Sequence, residues 1–307
     1  MTLIAPGPTP WAAPARSPEP PAHIIPNVLT VAGVDPSGGA GVLADVKTFS
    51  ALDAYGCAVI CALTAQNTRH VTGIEGVSSD FIRLQIDTLF DDVRIDAAKL
   101  GMLGTATIAR TVADALGLRL TAGTLPTLVV DPVMVSKGGD VLLTSDAIHM
   151  LRDAVLPLAT VITPNLPEAA LLLGQSAPTS VPDMYRAAER LRRLMSDSGM
   201  RWVLLKGGHM PGDPVDLLFD GERMIELSSP RIDTPNVHGT GCTLSAALAA
   251  LIPQLHDVPA ATRAARDYLA GALSASGQLQ VGRRVDGRGH GPVHHFHTLW
   301  GQRHGGA

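Results

Sequence analysis

The sequence predicts a mostly parallel α/β sheet with helices on both faces, and three observations carry that expectation. Short apolar runs at residues 28–34, 57–63, 97–102, 127–130, 160–162 and 202–205 read as buried strands. Helix-like stretches lie between them, clearest at 183–197, where Met184, Ala188, Leu191 and Met195 share one face and Arg186, Arg190 and Arg193 lie elsewhere. Such alternation implies right-handed βαβ crossovers and parallel neighbours. Third, neither an internal repeat nor a second composition regime interrupts residues 27–307, so one domain is expected there.

Taken in order, residues 1–26 hold eight prolines and little apolar periodicity. That is too little apolar surface to offset the entropy of ordering, so a disordered extension is expected. Strand 28–34 ends in Gly33-Val34-Asp35-Pro36-Ser37-Gly38-Gly39-Ala40-Gly41. The run lacks the Gly-Lys-Ser/Thr ending of a P-loop and the G-x-G-x-x-G spacing of a dinucleotide site. Close backbone approach to a flat organic substrate is the better use of its glycines. After strand 57–63 come Gln66 and Asn67; a glutamine amide donates and accepts at once, which matches an aminopyrimidine edge. Strand 97–102 carries Met102, a polarizable wall for an aromatic ring or, more simply, core packing.

Strand 127–130 delivers Asp131, a carboxylate able to hold metal-bound water, and 136–140 has the composition of a lid. Strand 160–162 leads to Asn165-Leu166-Pro167-Glu168. Its amide and carboxylate, three residues apart, suit Mg²⁺ as oxygen ligands and also suit a helix capping box. Strand 202–205 delivers Lys206 beside Gly207 and Gly208, and a hairpin of 217–220 and 223–227 about Gly221 joins the sheet. The strongest motif, His238-Gly239-Thr240-Gly241-Cys242-Thr243, runs into an apolar helix at 244–252. Its glycines allow a sharp turn, and the unpaired N–H groups and positive end of the helix make a phosphoryl site. Cys242, at that helix start, is expected to have a lowered thiol pKa.

The net charge of −4 gives no basic field for nucleic acid. The longest uncharged stretch, 234–255, is broken by Pro235, Asn236, Gly239, Gly241 and Pro253. Only 242–252 reads as continuous helix, short of the ~20 apolar residues that span a bilayer. No basic segment precedes an apolar run at the N-terminus, and Cys57, Cys61 and Cys242 make no disulfide framework, so a cytoplasmic setting is expected. Against 20 arginines stand four lysines: Lys47, Lys99, Lys137 and Lys206. A lysine retained in such a background marks a place where a guanidinium does not fit. Lys137 and Lys206 stand beside glycine pairs and suit phosphate; for Lys47 and Lys99 surface salt bridging is an equal alternative. His290, His294, His295 and His297 lack a carboxylate or cysteine among them and read as structural.

Together these segments closely resemble the hydroxymethylpyrimidine/phosphomethylpyrimidine kinases of thiamine biosynthesis, within the ribokinase-like superfamily. The resemblance runs from about Val28 to Trp300 and takes in the glycine-rich run, Ala65-Gln66-Asn67-Thr68, Lys99-Leu100-Gly101-Met102-Leu103 and Asp131-Pro132-Val133-Met134. It continues through Thr163 to Ala169, Lys206-Gly207-Gly208-His209, the His238 to Thr243 motif and Gly291-Pro292-Val293-His294-His295-Phe296-His297. The extension and extra residues around 284–288 depart from the pattern without touching a motif.

The resemblance implies a three-layer α/β/α fold and ATP- and Mg²⁺-dependent phosphorylation of 4-amino-5-hydroxymethyl-2-methylpyrimidine and then of its monophosphate. It implies that Gln66 reads the pyrimidine, that Met102 packs near it, and that Asp35 and Asp45 lie by the substrate pocket. Cys242 stands where most of the superfamily has an aspartate base. Lys206, Thr240 and Lys137 would face the nucleotide; Asp131, Asn165 and Glu168 the metal. A homodimer is the family default, with no nucleic-acid or membrane partner. The nearest rival is a pyridoxal kinase; a silent pyrimidine-binding protein is disfavoured by the intact Lys206, Asn165/Glu168 and Cys242 set, and a nicotinamide oxidoreductase by the missing dinucleotide fingerprint.

Overall fold

Every parallel strand delivers its following loop to the same rim of one sheet. The computed structural model describes residues 24–134, 143–283 and 289–300. The expected extension at 1–26 falls almost entirely outside these residues, as do the lid-like 136–140 with Lys137 and the extra residues at 284–288. The strands are β1 (Asn27–Val34), β2 (Tyr55–Gln66), β3 (Val71–Gly76), β4 (Ala97–Leu100), β5 (Leu128–Val130), β6 (Val161–Ile162), β7 (Trp202–Leu205), β8 (Val215–Phe219) and β9 (Met224–Ser228). They form one nine-stranded sheet in the order β3-β2-β1-β4-β5-β6-β7-β8-β9. Pairing is parallel from β2 across to β7 and antiparallel at both margins, β3 on β2 and the β8–β9 hairpin on β7.

The helices are α1 (Gly41–Ala51), α2 (Ser79–Asp92), α3 (Ala106–Thr121), α4 (Ser145–Met150), α5 (Leu166–Leu173), α6 (Val181–Arg192), α7 (Thr240–Leu255) and α8 (Val258–Ser274). Two separate apolar clusters show that they make two layers. Val28, Val129 and Leu204 point to one face and pack with Phe49 of α1, Leu248 of α7 and Ala265 of α8. Leu29, Val130 and Val203 point to the other and pack with residues of α2 to α6, among them Ile86, Leu116 and Leu191. Adjacent strand residues going to opposite cores is the period-two geometry of a sheet buried on both sides. No helix among the described residues is long and apolar enough to cross a membrane.

Three elements differ from expectation. β3 carries Gly73, Gly76, Thr72 and Glu75 and is almost wholly exposed, so it has no apolar run to betray it. α6 starts at Val181 because Ser180 caps it and Pro182 fits its first turn, and it ends at Arg192, short of residue 197. α7 begins at Thr240 and continues through Pro253 into its last turn.

Candidate active site

The loops on the carboxyl rim enclose a cavity of about 730 Å³. Gly33, Thr64, Gln66 and Met102 line one part of it, and Gly239, Gly241, Cys242 and Lys206 line another. The two halves of the expected chemistry therefore share one space.

The start of α7 explains the phosphoryl side. Gly239 is its N-cap, with φ of 79°, and no side chain satisfies the first N–H groups. Lys206 arrives from β7, held beside Asn165 by Lys206 N–H donating to the Pro164 carbonyl (2.9 Å). A methyl on Gly241 would lie 3.4 Å from both Lys206 Nζ and Asp131 Oδ2, so the helix end, the ammonium and the carboxylate converge.

Asp131 Oδ1 accepts from Lys206 Nζ (3.0 Å) and Thr163 Oγ1 (3.0 Å), and Oδ2 accepts from Ser245 Oγ (3.3 Å). Burial works against its charge, but Lys206 and then Lys99 outweigh that and hold the carboxyl below its usual range. In the same way burial would push the Lys206 ammonium down, and Asp131 and Glu168 lift it above its ordinary value. Sequence reasoning missed the two hydroxyl donors, which lie on other segments.

Asn165 and Glu168 form a complete capping box: Asn165 Oδ1 accepts from Glu168 N–H (2.9 Å) and Glu168 Oε2 from Asn165 N–H (2.8 Å). The amide is thus committed to aiming the carboxylate. Glu168 Oε1 carries no hydrogen bond among the described residues, and burial pushes the carboxyl up to about 7 against the pull of Lys206. Two carboxylates on the cavity wall, one with a free oxygen, fit Mg²⁺, which keeps several waters and leans on substrate phosphates. No cluster of three His, Cys, Asp or Glu side chains suited to a metal occurs among the described residues.

Two expectations are corrected. Cys242 is at the α7 start, yet burial pushes the thiol up to about 11, with Lys99 only partly offsetting it. The dry wall outweighs the helix end. Asp45 does not reach the cavity wall. It is fully buried on the inner side of α1, where its carboxylate accepts from Lys99 Nζ (2.8 and 2.9 Å) and Thr30 Oγ1 (2.6 Å). Lys99, for which surface salt bridging was an equal reading, is likewise 0% exposed. Burial would push its ammonium down, but Asp45 holds it above its ordinary value. The rarity of lysine was the only signal for this pair.

The remaining residues fall as follows. Gln66 is on the wall, its Oε1 accepting from Thr64 Oγ1 (3.1 Å). Met102 packs so closely over Gly33 that a methyl there would lie 2.6 Å from its Cε. Lys47 is off the wall and donates to the Gly38 carbonyl (2.8 Å), steadying the glycine-rich loop. His295 pairs with Thr243 Oγ1 (3.2 Å), its carbonyl accepts from Tyr268 (2.6 Å), and burial drives its pKa down to about 3, so this histidine is a neutral structural group.

The profile of the phosphomethylpyrimidine kinase family matches residues 35–294. A Rhizobium meliloti protein named hydroxymethylpyrimidine/phosphomethylpyrimidine kinase is 46% identical over 273 residues, covering 89% of this chain and 97% of that one. The crystal structure of a phosphomethylpyrimidine kinase from Clostridium difficile superposes with a TM-score of 0.70 at 36% identity, over 81% of this chain and 99% of the other. A pyridoxal kinase from Staphylococcus aureus in complex with ADP superposes with a TM-score of 0.78 at 31% identity, over 90% and 96%. On sequence and fold together, the chain belongs to the phosphomethylpyrimidine kinase family.

Proposed function

We propose that the protein transfers the γ-phosphoryl group of ATP to the hydroxymethyl oxygen of 4-amino-5-hydroxymethyl-2-methylpyrimidine, and then a second phosphoryl to the monophosphate. These are two kinase steps of thiamine biosynthesis, in keeping with the names of its relatives. The observation that carries the reading is the shared cavity, whose wall holds Gln66 and Met102 together with the Gly239 to Cys242 turn.

Gln66 offers one acceptor and one donor to the aminopyrimidine edge, and Met102 supplies an apolar surface to the ring. Cys242 Sγ accepts a hydrogen bond from the hydroxymethyl group and aims the oxygen lone pair at phosphorus. In-line transfer through a loose transition state needs positioning and charge neutralisation more than a strong base. The N–H groups of Gly239, Thr240, Gly241 and Cys242 and the Lys206 ammonium face the phosphoryl oxygens as negative charge gathers there. Mg²⁺ would be held by Glu168 and, through water, by Asp131, where it neutralises phosphate charge. The sequence adds Lys137, which lies outside the described residues, as a further lysine suited to the nucleotide phosphates.

Lys206→Met should lower kcat about 10²–10³-fold, the loss on removing one preorganised donor. It should move KM for the pyrimidine little, as steady-state kinetics on both substrates will show. A homodimer is proposed as well. Leu63 of β2 and Ile74 of β3, at 52% and 48% exposure, leave apolar side chains uncovered on the two faces of that sheet margin, and light scattering reads the mass directly.

The deciding experiment compares hydroxymethylpyrimidine, its monophosphate and pyridoxal as acceptors side by side. The highest kcat/KM is expected with the two pyrimidines; a higher value with pyridoxal would reverse the proposal in favour of the Staphylococcus-like activity.

A further inference from the structure

Two segments from opposite ends of the chain meet on the cavity wall, and one buried bond between side chains joins them. Asp35, on the loop after β1, accepts from Ser37 N–H (2.8 Å), Ser37 Oγ (2.9 Å), Ala40 N–H (3.0 Å) and His238 Nε2 (2.7 Å). Three of those donors belong to its own loop. The fourth, His238, stands directly before the Gly239 turn and is 7% exposed. Its own backbone is anchored elsewhere, by His238 N–H donating to the Gly291 carbonyl (3.0 Å).

The two backbones also touch. A methyl on Gly39 would lie 2.2 Å from the His238 ring, and one on Gly239 would lie 1.7 Å from the Gly39 carbonyl oxygen. Interiors packed this tightly do not deform continuously, so a shift of one segment must displace the other. No backbone–backbone hydrogen bond joins residues 33–41 to 236–242 among the described residues. Among the described residues, the side-chain hydrogen bond that joins them is Asp35–His238.

We infer that Asp35 and His238 form a positioning clamp that couples the acceptor side of the cavity to the phosphoryl side, so that nucleotide on the Gly239 turn orders the glycine-rich loop. The naming of the two sides rests on the function proposed above, but the coupling itself does not depend on which acceptor is used. A ligand shifts a distant segment only by the difference in its affinity for the ordered and loosened states, and linkage makes the effect reciprocal.

The test uses full-length protein with the non-hydrolysable analogue AMP-PCP and Mg²⁺ and no acceptor. Hydrogen exchange of the 33–41 amides should slow on nucleotide binding in the wild type. In His238→Leu nucleotide should still bind, but that slowing should be lost, while His238→Gln, which keeps a donor for Asp35, should recover much of it. A merely structural histidine would lower Tm in His238→Leu and leave the nucleotide-dependent slowing intact, and that result overturns the clamp. If His238→Leu does not fold, Asp35→Asn is read in the same way: diminished slowing supports the clamp and wild-type slowing overturns it. A second arm measures KM for hydroxymethylpyrimidine at low and saturating ATP. The wild-type ratio should lie in the usual range of about 5- to 150-fold and should approach one in His238→Leu. Failure of the pyrimidine to react at all would remove only the functional reading, because the exchange arm contains no acceptor.

Discussion

Cys242→Ala should reduce phosphorylation of the hydroxymethyl group on the order of 10²-fold, the usual cost of losing the orientation of a reacting group. The nucleotide Kd should stay within about twofold, since Cys242 contributes a side chain to the acceptor and only its backbone to the phosphate turn. With the thiol near 11, Cys242 is neutral at pH 7. Its role at neutral pH is then to orient the hydroxyl, with the proton passing late to a phosphoryl oxygen, when the new bond to phosphorus has made it acidic. Two outcomes follow. The pH–rate profile of the first step should show no Cys242 ionisation between pH 6 and about 9. The second step, whose acceptor is already an ionised phosphate, should fall much less in the same variant. Equal losses in both steps would show that Cys242 serves the phosphoryl group instead.

Lys99→Met should cost about 3–5 kcal/mol of folding stability, measured by urea denaturation, because it strands a buried carboxylate. Asp45 and Lys99 are both fully buried, and after the change only Thr30 donates to Asp45. The deficit depends on pH with a definite sign. Without its ammonium, buried Asp45 has a folded pKa raised above its unfolded value, so folding favours the protonated acid. That contribution is complete below the unfolded pKa and is lost as pH rises through the folded one. The variant should therefore lose least at pH 5 and most at pH 8. Lys99→Met combined with Asp45→Leu should regain most of the loss, since an apolar pair replaces a buried ion pair at little net cost. A double variant as unstable as the single one would show that Lys99 acts through packing alone.

Much of this was legible in the sequence, for definite reasons. The buried strands announced themselves because a parallel sheet covered on both sides needs unbroken apolar runs, and the motif residues follow those runs by one or two positions, as Asp35, Asp131 and Lys206 do. Asn165 and Glu168 were readable as a cap because that bond pattern is local. What escaped was either non-local or solvated. β3 faces solvent and has no apolar run to select. The Asp45–Lys99 bond spans 54 positions and the Asp35–His238 bond 203, distances over which composition carries no pairing signal. The Cys242 thiol went the other way from expectation because helix position can be read from a sequence, whereas the dryness of a wall assembled from α1, β4, β5 and β7 cannot.

The parallel strands send the described loops that line the cavity to one rim, away from the opposite one. At that far side the turn after α3 passes through Thr121, Ala122, Gly123 and Thr124, all exposed, and a methyl on Gly123 would meet nothing within 4 Å. Peptide tags, surface tethers or a fused neighbouring enzyme should be accommodated there without disturbing turnover, so the architecture has a natural handle on the side away from its work.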